Sequence, residues 1–197
     1  MLKIELIYRE LLYRAIEQGN PNFSLTELSR RFKLSTSVVS HALFPLRQLG
    51  IVKVGKLKSS LIDTERLLYF WATKRDIYRD IIYKTYSPLS VTEREALLPA
   101  NVRPTAFSFC RLILKEESAD YEHIYFYADD IYETVKRFPE EGKKPSNIFL
   151  LKKDSFLSTY PKVPLAQVFA DLWNLPEWYA KDYSQSLFNI IKGKIGL

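Results

Sequence analysis

Residues 23–54, FSLTELSRRFKLSTSVVSHALFPLRQLGIVKV, decide how the first third of this chain is read. Ser24 followed by Glu27 fits a capping box, so a helix begins near Leu25 and buries Leu25, Leu28 and Phe32. Lys33-Leu34 makes a tight turn. Ser35 then caps a further helix, with Thr36 and Ser37 in its first turn. Val39, Ala42, Leu43 and Leu46 recur at helical spacing and face a core, which turns Thr36, Ser37, Ser40, His41, Phe44 and Arg47 to solvent. Pro45 lacks an amide donor and clashes with the preceding turn, so a kink or an early end is expected there. Gly50 is placed to stop the helix. Beyond it, 51–54 and 57–62 around Gly55-Lys56 predict a two-stranded hairpin. Upstream, Ile4, Leu6, Ile7, Leu11, Leu12, Ala15 and Ile16 form a helical stripe over 1–18, with Lys, Glu and Arg on its other face, and Gly19-Asn20-Pro21 ends it.

The charge falls on the same segment. The chain of 197 residues carries a net +6, and its 47% hydrophobic content is ample for a packed core. Residues 1–62 hold ten Lys or Arg (Lys3, Arg9, Arg14, Arg30, Arg31, Lys33, Arg47, Lys53, Lys56, Lys58) against four acids (Glu5, Glu10, Glu17, Glu27). The remainder is balanced, so the entire excess sits beside the two capped helices, as a polyanionic partner requires. No apolar run reaches the ~20 residues of a membrane-spanning helix, and the N-terminus lacks a signal-peptide core, which predicts a cytoplasmic protein without membrane contact. Cys110 is the only cysteine and reads as a small buried core residue; His41 and His123 stand far from other metal-ligating types, so neither a metal nor a cofactor is expected.

Two helices, a turn and a basic ribbon make the sequence pattern of a winged helix-turn-helix, whose second helix enters the DNA major groove. The pattern LSxRFxLSxSxVSxxLxxLxxLGIVKV resembles winged-helix transcriptional regulators in the style of the MarR and ArsR families. That resemblance implies that the helix from Ser35 to Arg47 lies in the groove and that Lys56 and its neighbours touch the adjacent backbone. The predicted DNA-contacting set is Arg30, Lys33, Ser35, Thr36, Ser37, Ser40, His41, Arg47, Lys53, Lys56 and Lys58. Winged helices also serve as protein-docking modules, which is an alternative reading.

Beyond 1–62, a linker helix over 63–75 opens at Asp63 and presents Leu67, Leu68 and Trp71; a small α/β domain over 76–197 follows, making the class α/β, or α+β overall. A short helix over 92–98 has Thr92 and Glu95 as its capping box, Pro99 and Pro104 bracket a loop, and 105–114 fits a helix. Strands over 123–128 and 147–151 flank a helix near 130–138, predicting a parallel pair. A third strand is expected over 164–171 and a closing helix over 176–192.

Asp129, Asp130, Asp154 and Asp171 fall at or just after these strands, where metal-dependent nucleases and nucleotidyltransferases place ligands, so an enzyme with a DNA-delivering winged helix is the rival reading. No Asp-x-Asp pair on one strand face and no acid-then-Glu-x-Lys spacing accompanies them, and glycine-rich phosphate loops and nucleophile elbows are absent; no catalytic residue is assigned. At Ser90-Val-Thr-Glu-Arg-Glu, Tyr125-Phe-Tyr-Ala-Asp129, Pro164-Leu-Ala-Gln-Val-Phe-Ala-Asp-Leu-Trp173 and Trp178-Tyr-Ala the chain resembles AbiEi-type antitoxins. That resemblance implies an autoregulating repressor whose C-terminal domain counters a cognate toxin protein. The sequence thus predicts a non-enzymatic regulator of transcription that binds double-stranded DNA as a homodimer.

Overall fold

The computed structural model describes residues 1–55, 58–114, 120–140 and 144–196. The described chain is a mixed α/β protein with two small sheets, consistent with the α+β class. It divides into two compact units, one of Met1–Arg75 with Pro164–Ala170 and Phe188–Leu197, the other of Asp76–Val163 with Asp171–Leu187.

The first unit runs through α1 (Lys3–Glu17), β1 (Asn22–Phe23), α2 (Leu25–Phe32), α3 (Thr36–Gln48), β2 (Val52–Lys53), β3 (Ser59–Leu61) and α4 (Thr64–Ala72). The sequence assigns α1 a polar outer face, yet Glu5, Arg9 and Glu10 are buried along with the apolar stripe. Pairing makes that burial tolerable. Glu5 accepts from Trp71 Nε1 and faces Arg75 Nη1, both at 3.5 Å. Glu10 pairs with Arg14 at 2.7 Å and Arg31 at 3.0 Å, and Arg9 donates to Gln167 Oε1 at 3.0 Å. The Tyr8 hydroxyl donates to the Ala42 carbonyl at 3.2 Å and ties α1 to α3. The hairpin of β2 and β3 is present, with Val52 opposite Leu61. A strand the sequence did not signal, β1, adds to the other edge of β3 with Phe23 opposite Ser59. Asp63 caps α4 by accepting from the Arg66 amide at 2.8 Å.

The second unit is built on β4 (Ile81–Thr85), α5 (Val91–Ala96), β5 (Arg103–Thr105), α6 (Ala106–Ile113), β6 (Ile124–Ala128), α7 (Tyr132–Arg137) and β7 (Ile148–Lys152). Its sheet has the order β4-β7-β6-β5. The expected parallel pair is β6 with β7, in register from Ile124 opposite Ile148 to Ala128 opposite Lys152, and Tyr125 stacks on Phe149 across it at 4.6 Å. Every residue of β6 is buried, as a central strand covered on both faces must be.

Three expectations are corrected here. Residues 164–171 are not a strand: they belong to the helix α8 (Leu165–Trp173), where the Pro164 carbonyl accepts from the Gln167 and Val168 amides at 2.9 and 3.1 Å. Residues 163–172 are all buried, so their apolar run carried no period to separate helix from strand. The capping box is Ser90 with Glu93, the Glu93 carboxylate accepting from the Ser90 amide at 2.9 Å. Glu95 instead accepts from the Tyr121 hydroxyl at 2.5 Å and pairs with Arg111. The region between the prolines is not all loop, because Pro104 sits in β5, an edge strand where a missing amide costs nothing. The closing helix, α9, spans Ala180–Ile195.

Candidate nucleic-acid interface

Local chemistry sets the turn between α2 and α3. The Ser24 hydroxyl accepts from the Glu27 amide at 3.1 Å to start α2. Lys33 ends it in the left-handed region, at φ 52°, with the Leu34 amide on the Ser29 carbonyl at 3.0 Å and the Ser29 hydroxyl donating to the Leu34 carbonyl at 2.5 Å. The Ser35 hydroxyl then accepts from the Val38 amide at 3.3 Å and α3 begins. Leu28, Phe32, Val39, Ala42, Leu43 and Leu46 are buried, so the packing of this pair is apolar throughout.

Pro45 does not end α3. The helix continues to Gln48, because Leu46 is fully buried in its last turn and the Leu49 amide bonds the Pro45 carbonyl at 3.1 Å. The carbonyl deprived of an intrahelical partner by Pro45 belongs to His41, an exposed position. Termination falls to Gly50. At φ 69° its amide bonds the Arg47 carbonyl at 3.1 Å, and the Ile51 amide bonds the Leu46 carbonyl at 2.8 Å, the paired bonds of a Schellman motif. Arg66 donates to the Leu49 carbonyl at 2.8 Å and closes the same helix end.

Arg30, Lys33, Ser35, Thr36, Ser37, Ser40, His41, Arg47, Lys53 and Lys58 are all exposed; Lys56 lies outside the described residues. Thr36 to Arg47 share α3, while Lys53 is on β2 and Lys58 immediately precedes β3. Phe44 and Gln48, absent from the sequence-based contact set, are exposed on the same helix. The buried stripe already turns Phe44 to solvent, and it turns Gln48 there too once α3 is extended past Pro45.

The structure also sorts the charges of the first 62 residues in a way that counting does not reveal. Glu10 is taken up by Arg14 and Arg31, Glu27 by Arg14 at 2.5 Å, Glu5 by Arg75, and Glu17 accepts from the Leu165 amide at 3.3 Å. The hydrogen bond from Arg14 holds the Glu27 carboxyl below its ordinary value, overcoming the opposing effect of partial burial. Each acid therefore has a partner. Lys3, Arg30, Lys33, Arg47, Lys53 and Lys58 remain exposed without an acidic partner among the described residues. An exposed surface of uncompensated cations is what concentrates a polyanion.

The four aspartates at or after the expected strands have partners within the second unit. Asp129 pairs with Lys153 at 2.6 Å, Asp130 accepts from the Tyr132 amide at 2.9 Å, and Asp154 accepts from the Phe156 amide at 3.0 Å. Asp171, on α8 and fully buried, accepts from Thr105 at 2.9 Å and Tyr127 at 2.6 Å. Among the described residues, no three His, Cys, Asp or Glu side chains are placed to hold a metal ion. Cys110 is buried, and that burial pushes its thiol up to about 12. No described helix is long and apolar enough to cross a membrane.

No family model matches the chain, and no curated protein and no solved structure matches it.

Proposed function

We propose that this chain is a regulator of transcription whose first unit is a winged helix-turn-helix that binds duplex DNA. In this reading α3 enters the major groove, the hairpin of β2 and β3 is the wing, and the exposed hydroxyls of Ser35, Thr36, Ser37 and Ser40 approach phosphates and base edges. Arg30, Lys33, Arg47, Lys53, Lys56 and Lys58 supply the phosphate contacts, with His41 reaching a base edge or the backbone. The carrying observation is the coincidence on one module of a capped two-helix turn with exposed cations whose neighbouring acids are all engaged elsewhere. Two modules on a pseudo-palindrome multiply affinity, so the working form is a homodimer.

The second unit is assigned a binding role without catalysis, its buried aspartate being engaged by Thr105 and Tyr127. On the resemblance to AbiEi-type antitoxins, that role is to counter a cognate toxin protein while the first unit represses the shared operon in the cytoplasm. Fluorescence anisotropy with labelled duplexes tests the DNA reading. Arg47→Ala and the triple alanine variant of Lys53, Lys56 and Lys58 are expected to weaken binding, the triple variant also flattening its dependence on salt. Unchanged affinity in both variants overturns the assignment.

A further inference from the structure

The outward face of α3 is not uniform. Opposite the buried stripe of Val39, Ala42, Leu43 and Leu46, at 100° per residue, lie Ser37, His41, Phe44 and Gln48, all exposed. Phe44 is 57% exposed, and among the described phenylalanines it alone is exposed rather than buried or half-buried. More than half of its surface is left uncovered by the fold, apolar area that a bound partner can cover. The other three members of the stripe are polar, and Ser40 and Arg47 flank it. A protein partner would find no contiguous apolar core on this face, which is what a stable interface requires. The major groove of DNA offers the complementary arrangement, isolated methyl groups set among hydrogen-bonding base edges. The surrounding charge agrees, being cationic with its acids sequestered.

We infer that Phe44 is a specificity-determining residue that packs on the C5-methyl group of a thymine in the bound duplex. The inference rests on the duplex-DNA reading above and adds to it a base identity. The ring gains contact area against a thymine and none against a cytosine or a uracil at the same position, while hydrogen bonds from neighbouring side chains are unaffected. Pro45, directly after it, lacks an amide and leaves the His41 carbonyl open, but the continuous helix keeps Phe44 in line with Ser37 and His41.

The test uses the full chain and a duplex enriched by it from a random pool. Each thymine of that duplex is replaced in turn by deoxyuridine, which pairs identically and lacks only the methyl group. For the wild type, one such replacement weakens binding about fourfold, the worth of one buried methyl group. Phe44→Ala weakens binding to the thymine duplex and erases the difference between thymine and uracil; Phe44→Leu keeps part of it. Thermal unfolding and the salt slope of Phe44→Ala should match the wild type, which separates a lost base contact from lost folding. Wild-type indifference to uracil at every position, with salt-sensitive binding intact, overturns this inference and spares the DNA reading. A Phe44→Ala variant that loses self-association but keeps its thymine preference also overturns it, giving the ring to a second copy of the chain. Failure to enrich or bind any duplex brings down both.

Discussion

Replacing Lys53 and Lys58 together by alanine removes two charges from the hairpin without touching the core, since both side chains are exposed and neither has an acidic partner among the described residues. Substitutions of that kind change stability by about 0.5 kcal/mol or less, so any effect on binding is electrostatic. If each lysine neutralises one phosphate, the slope of log affinity against log salt becomes shallower by about 1.8, at about 0.9 per contact. Over a fourfold rise in salt, the double variant therefore loses about 12-fold less affinity than the wild type does. Its deficit is largest at low salt and shrinks as salt increases. Anisotropy titrations at several salt concentrations measure the two slopes. A variant that is weakened equally at every salt concentration refutes the phosphate role, and so does one whose slope matches the wild type.

Three further expectations concern the second unit. Asp171→Ala leaves the buried Thr105 and Tyr127 hydroxyls without their carboxylate and should cost about 2–4 kcal/mol, read as a lower denaturant midpoint with an unchanged slope. Burial alone would raise the Glu177 carboxyl, but hydrogen bonds from His123 and Tyr125 prevail and hold it below its ordinary value of 4.5. A depressed carboxyl stabilises the fold above its unfolded-state value and stops doing so as pH falls through the folded one. Thermal melts should therefore show stability falling below about pH 4.5, with part of that fall missing in Glu177→Gln. Cys110, with its thiol raised to about 12 by burial, should resist alkylation at pH 8 in the native protein and react promptly once denatured.

The elements that were legible in the sequence are those with chemical punctuation. Ser24 and Ser35 mark helix starts by their hydroxyls and Gly50 marks an end by lacking a Cβ, so the start of α2 and both ends of α3 stand where those residues place them, whereas Pro45, which signalled a kink or an early end, lies inside α3. The outward residues of α3 followed from its buried stripe. Elsewhere the local signal was ambiguous or missing. Ser90-Val-Thr-Glu-Arg-Glu contains two overlapping capping boxes, and only the fold selects Ser90 with Glu93, by giving Glu95 to Tyr121 and Arg111. The apolar run in α8 is buried on all sides and has no period. The two-residue β1 is too short to leave a pattern. Least legible was the state of the charges: Arg9, Arg14 and Arg31 count as basic residues in the sequence but are spent inside the first unit. The face that remains is thus more purely cationic than a net of +6 suggests, and that property is tertiary.

In the proposed function α3 reads duplex DNA. Its most direct test is selection of sites from a random duplex pool by the full chain, followed by titration of the selected duplex and a scrambled one at fixed salt. A recurrent site should be bound at least about 1000-fold more tightly than the scrambled duplex, and that preference should be lost on replacing Ser37, Ser40 and His41 by alanine while salt-dependent binding to any duplex remains. Equal affinity for both duplexes, or no salt-sensitive binding to either, contradicts it.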